Sequence, residues 1–162
     1  MVFGAALGAA LVLGGGAAAK PRSTPTPLLD TVSATLSSSH AGARPVALTL
    51  AIRMEVQCGR LVGGTLAVRL PAQERLPAKV ASGAVLVGGK PSGAVAVAGH
   101  TLTVSIPRPR GMMCDVIGPG TVTLVLTRAA NLGNPKNAGT YPLVVARGAQ
   151  QFKTTLTISP AG

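Results

Sequence analysis

Cys58 and Cys114 are the only cysteines in the chain, and His40 and His100 the only histidines. Two of each is the complement of a structural zinc site, yet no Cys-x2-Cys or His-x3-His spacing brings a pair together. Met112-Met113-Cys114 with His100 invites a Cu(I) reading, because thioether and thiolate sulfurs are soft ligands. A blue-copper site needs a second His soon after the Cys, and none follows Cys114. Oxidative pairing of Cys58 with Cys114 consumes both thiolates, and the adjacent methionines then cover the sulfurs. For hydrolysis the acids are Asp30, Glu55, Glu74 and Asp115. Asp30 and Glu74 stand in polar flanking segments, Glu55 falls on the outward face of a strand, and Asp115 caps or pins the loop after Cys114. The pattern shows no paired acid and base, no Gly-x-Ser-x-Gly elbow and no Gly-rich phosphate loop. The reading is a non-enzyme without metal or cofactor.

Charge is the other chemical resource. Fifteen Lys and Arg against four acids give a net charge of +11, which suits an anionic partner such as cell-wall polymer. Only Arg108-Pro109-Arg110 is a local pair; with Arg60 it stands near the cysteines in sequence, whereas Arg147 and Lys153 are isolated. These three arginines, Arg60, Arg108 and Arg110, are the candidate binding residues. The alternative origin is compositional, since Ala, Gly, Val, Arg and Pro dominate as they do in GC-rich genomes. With one Tyr, two Phe and no Trp, the chain lacks a stacking platform for bases or sugar rings, and nucleic acid is not expected as a partner.

Val2 to Ala19 are apolar or Gly throughout and end in Ala17-Ala18-Ala19 before Lys20. That is an apolar core followed by a small-residue cleavage site, so residues 1–19 read as a secretory signal peptide. The rival is an uncleaved anchor, but eighteen residues, five of them Gly, barely span a hydrocarbon core of roughly 30 Å. If the segment is cleaved, no stable membrane span remains. Residues 20–27, with three prolines, form a short extended linker, and residues 28–162 form one domain. Export also makes a Cys58–Cys114 disulfide the expected state.

The elements that must position these groups have a period of two. Val46, Leu48, Leu50, Ile52, Met54 and Val56 alternate with Ala47, Thr49, Ala51, Arg53 and Glu55, the pattern of a half-buried antiparallel strand inside a sheet. The alternation recurs at Leu66–Leu70, Leu102–Ile106, Val122–Leu126 and Phe152–Ile158, with shorter candidates at Val32–Leu36, Val85–Val87, Val95–Val97 and Tyr141–Val145. Gly99-His100 has the Gly-first signature of a two-residue hairpin. Gly88-Gly89-Lys90-Pro91 reads as a strand break, and Ala72–Val80 holds at most one helical turn between Pro71 and Pro77. Eight or nine short strands, with turn signals about every 8–12 residues, predict an all-β antiparallel sandwich. Cys58 follows one strand and Cys114 precedes another; if these are antiparallel, both cysteines lie at one pole. A bridge across sandwich-end loops would close about 57 residues and stabilise by roughly 4 kcal/mol in the chain-entropy model.

Two stretches resemble bacterial secreted and cell-surface Ig-like domains of Gram-positive type. Val85-Leu-Val-Gly-Gly-Lys-Pro91 with Val95-Ala-Val-Ala-Gly-His-Thr-Leu-Thr-Val104 is similar to their V-x-V-N-G-K-P … V-x-V-x-G-x-x-L-x-V hairpin, Gly88 replacing the usual Asn. Asn134-Pro-Lys-Asn-Ala-Gly-Thr-Tyr141 is similar to their N-P-x-x-A-G-x-Y turn, in which Gly139 supplies a positive φ and the Tyr141 hydroxyl anchors the corner. The resemblance implies an Ig-like sandwich in a cell-surface or cell-wall setting and carries over no catalytic residue. The expected function is a non-catalytic structural or binding module whose partner is an anionic wall polymer or another surface protein. The alternative is an extracellular ligand or metal carrier using the pole of Cys58 and Cys114.

Overall fold

The computed structural model describes residues 29–57, 63–107 and 117–162. The leader and linker, and with them Cys58, Arg60, Arg108, Arg110, Met112, Met113, Cys114 and Asp115, lie outside the described residues. Among the described residues no helix is long and apolar enough to cross a membrane.

Alternating sequence becomes alternating strand. Among the described residues ten strands form: β1 (Leu29–Leu36), β2 (Leu48–Gln57), β3 (Gly64–Arg69), β4 (Val85–Val87), β5 (Lys90–Pro91), β6 (Val95–Ala98), β7 (Thr101–Ile106), β8 (Ile117–Leu126), β9 (Gly139–Arg147) and β10 (Gln150–Ile158). They make two five-stranded antiparallel sheets, ordered β1-β2-β8-β4-β5 and β10-β9-β3-β7-β6. The subset β1-β2-β8-β4 against β10-β9-β3 has the strand order A-B-E-D against G-F-C of constant-type immunoglobulin domains. Chain order agrees, with β5 and the hairpin β6–β7 inserted between D and E.

The core is almost wholly aliphatic. Leu48, Leu50, Ile52 and Met54 on β2 are fully buried against Leu66 and Val68 of β3, Leu102 and Val104 of β7, Leu124 and Leu126 of β8, and Leu143 and Val145 of β9. Each such side chain contributes roughly 1.5–3 kcal/mol through burial. β2 lies between β1 and β8, as its alternation predicts, and Arg53 faces out while Thr49 and Ala51 are half-buried.

Gly88 and Gly89 break the strand after Val87 as expected, and they also reverse it. Both take positive φ, 57° and 77°, as a two-residue I′ hairpin requires, and they fold Lys90–Pro91 back onto β4 as a short edge strand that the sequence did not announce. Within Ala72–Val80, where at most one helical turn was expected, there is one such contact, the Glu74 N–H donating to the Pro71 carbonyl at 3.0 Å. The chain then pairs with a distant segment instead, through an antiparallel bridge between Arg75 and Gly133. The short 3₁₀ turns form elsewhere, at Ser82–Ala84 and Arg128–Ala130.

The register defines two poles. Gln57 opposes Ile117 and Gly64 opposes Ile106 at one end. Cys58 therefore directly follows, and Cys114 precedes by three positions, residues paired across neighbouring strands of one sheet. Those strands are antiparallel, as the cysteine reading required; the bond itself lies outside the described residues. At the other end the connections β1–β2, β3–β4 and β8–β9 meet.

Candidate functional site

Three connections are tied together at this second pole by backbone groups that no strand uses. Arg75 and Gly133 exchange hydrogen bonds of 2.9 and 3.0 Å, Val46 donates to the Leu132 carbonyl, and Gly42 donates to that of Pro135. Ser159, just past β10, donates to the Ser39 carbonyl at 2.8 Å. Gly133 permits the crowding, because a Cβ there would lie 3.2 Å from Arg44 Cδ and 3.4 Å from Arg75 Cβ. The Asn134 amide donates to the carbonyls of Ser38 and His40 at 2.8 and 2.9 Å.

Tyr141 anchors the entry to β9 as the turn reading expected. Its hydroxyl donates to the Asn137 carbonyl at 2.9 Å, the tyrosine-corner arrangement at the start of strand F. Gly139 has φ 153° and leaves its ring room, a Cβ there meeting the ring at 3.5 Å. Tyr141→Phe is expected to lower unfolding free energy by about 0.5–1.5 kcal/mol, read as a shifted denaturant midpoint at unchanged slope; no shift would show that the corner holds without its hydroxyl.

The knotted connections carry a ring of cations. Arg44, Arg69, Arg75, Arg128 and Lys136 are exposed here, together with His40 and His100. Arg44 Nε donates to Asn131 Oδ1 at 2.9 Å, which orients one of them. Among the described acids, Asp30 and Glu55 belong to the opposite ends of β1 and β2, and the third, Glu74, is only 1% exposed. The basic pole therefore presents no acidic side chain at its surface among the described residues. Two adjacent hollows open on it: a cleft of about 500 Å³ beside Arg69, His100 and Pro142, and one of about 240 Å³ framed by Gln73, Arg75, Lys136, Asn137 and Tyr141. An extended anionic chain laid across them would meet cations on both sides of the Pro71–Arg75 segment.

Several single-residue readings change. Glu74 is not in a polar flank but is buried, and burial raises its pKa to about 7. Arg147 is not an isolated surface charge. It is 6% exposed, donates to the Gly63 carbonyl at 3.0 Å and approaches the Met54 sulfur at 3.7 Å; burial lowers its pKa. His40 and His100 are exposed at this pole, and among the described residues no three of His, Cys, Asp or Glu gather where a metal could bind. The candidate arginines Arg60, Arg108 and Arg110 and the cysteine pole of the carrier alternative lie outside the described residues. The cation ring was missed because its members are far apart in sequence. Counting antiparallel strands up and down would have found it, since the first, third and fifth connections of an Ig-type sandwich share a pole.

Neither a family model nor a curated protein matches the chain. Among solved structures it is similar to BslA, a bacterial hydrophobin, with 19% sequence identity and a TM-score of 0.48, over 80% of this chain and 97% of that chain.

Proposed function

We propose that this domain is a non-catalytic, secreted or cell-surface structural module that holds an anionic cell-wall polymer on its basic pole. The observation that carries the reading is the gathering of Arg44, Arg69, Arg75, Arg128 and Lys136 at one pole, Arg69 beside one hollow and Arg75 and Lys136 beside the other, with no acidic side chain exposed at that pole among the described residues. Such a field attracts a polyanion, and water in the open clefts leaves the attraction subject to salt screening over about 8 Å at physiological ionic strength. Export through the apolar leader places the domain where such polymers are.

The test is co-sedimentation with purified wall bearing anionic polymer, titrated with salt. Binding is expected at low salt and should fall steeply as salt rises. Arg75→Ser with Lys136→Ser should weaken it about three- to tenfold, at up to about 1 kcal/mol per exposed cation. Lys90→Ser with Lys153→Ser, on β5 and β10 away from the hollows, should change it less than about twofold. A wild-type protein that stays in the supernatant at low salt would overturn the proposal.

A further inference from the structure

Three buried side-chain atoms among the described residues have no hydrogen-bond partner: both carboxyl oxygens of Glu74 and the Oδ1 of Asn134. Each residue is 1% exposed. The orientation of the Asn134 amide is settled by its surroundings, because Nδ2 gives its two hydrogens to the carbonyls of Ser38 and His40. Oδ1 is therefore an acceptor lacking a donor. Glu74, if ionised, adds two more acceptors, and a buried carboxylate without donors is costly.

The bridge next to them relates the two residues. Arg75 and Gly133 exchange both of their backbone hydrogen bonds, so the next opposed pair along this short antiparallel contact is Glu74 with Asn134. Directly opposed residues hold their Cβ atoms about 4.5–5.5 Å apart on one face, within reach of a carboxyl and an amide. One proton pairs two of the three atoms, leaving a single neutral carbonyl oxygen where an ionised carboxylate would leave a charge. We infer that Glu74 is held as the neutral acid and that its O–H donates to Asn134 Oδ1, clasping the β3–β4 connection to the β8–β9 connection. Removing that proton sets acceptor against acceptor and loosens the clasp.

The charged and titratable groups on the segments that meet here are Arg75 on the same segment, Lys136 on the opposing one, His40 and Arg44 on the β1–β2 connection, Tyr141 on β9, and Arg69 and His100 beside the neighbouring cleft. The positive ones favour the carboxylate, so they oppose the clasp. Burial acts the other way and prevails, raising the Glu74 pKa from 4.5 to about 7. The sign follows: a carboxyl protonated more readily when folded contributes its stability fully below about pH 4.5 and loses it as pH climbs to about 7. Gln73 and Arg75 on one side, and Lys136 and Asn137 on the other, frame the smaller hollow, so the same proton sets the geometry of that hollow.

The experiment needs no polymer, so its outcome is separate from that of the binding proposal. Carboxyl ¹³C NMR of the folded protein should show Glu74 titrating near neutrality. The unfolding equilibrium constant should rise on the order of 100-fold between pH 5 and pH 8. Glu74→Gln, whose amide donates at any pH, should flatten that dependence and match the wild type at pH 5. Glu74→Met, of similar volume without a donor, should unfold roughly tenfold more readily than Glu74→Gln. His40→Gln should keep the wild-type dependence, which assigns it to the Glu74 carboxyl. A Glu74 carboxyl titrating in the ordinary range, a Glu74→Gln variant with the wild-type pH slope, or a Glu74→Met variant as stable as Glu74→Gln would overturn the inference.

Discussion

Leu50→Ala is expected to lose about 2–5 kcal/mol of unfolding free energy, a large share of the roughly 5–15 kcal/mol that holds a domain of this size together. Leu50 sits at the centre of β2, opposed by Ala34 on β1 and Leu124 on β8. It has no exposed surface. Truncation there removes transfer free energy and opens a void that β-sheet neighbours on both sides cannot collapse to fill. Ile52→Ala should behave alike. Thr49, one residue away, points to the other face, between Thr35 and Val125, and is half-buried; Thr49→Ala should cost under about 1 kcal/mol. Denaturant midpoints for the three variants decide the matter. Equal small losses would mean that β2 is not the centre of the core.

The second large effect concerns Cys58 and Cys114. We expect them to form one intramolecular disulfide whose removal costs roughly 4 kcal/mol. Two independent considerations converge on this. Residues 1–19 read as a secretory leader, and export would take the chain to an oxidising compartment, where paired cysteines persist. The register sets Gln57 opposite Ile117, so Cys58 follows and Cys114 precedes, within three residues in the sequence, positions that are paired across the sheet. Native secreted protein should take up no thiol reagent until it is reduced, and Cys58→Ser with Cys114→Ser should unfold at lower denaturant. Two thiols that label without reduction would refute the bond. The same double variant then becomes a stability control for the loops it joins.

How much of this was legible before the fold was in view differs from residue to residue. The run from Val46 to Met54 announced β2, its buried face and its interior place, because a period of two states both the strand and the side it hides. Val85–Val87 became β4 without change, and the Asn134–Tyr141 turn delivered the tyrosine anchor, since a positive φ at Gly139 and a phenol reaching four residues back are local events. The antiparallel sandwich followed from counting such runs. Lys90–Pro91 was misread, because a two-residue edge strand has too little sequence to alternate and exists only where β4 offers it an edge. Glu74 and Arg147 were misread for a related reason. Arg147 continues the buried alternation of Leu143 and Val145, but its charge spoke against burial until Met54 of β2 and the Gly63 carbonyl before β3 were seen to receive it; Glu74, 1% exposed, lies in a connection with no alternation to mark it. The basic pole is the plainest case. Composition alone supplied the cations, but residues as distant in the chain as Arg44 and Lys136 share a surface only after ten strands have been laid in order. Local periodicity and turn chemistry act over a few residues, and so the sequence by itself determined strands, core face and corner. Burial of polar groups and convergence of charge depend on contacts between remote segments, and those the tertiary structure alone decided.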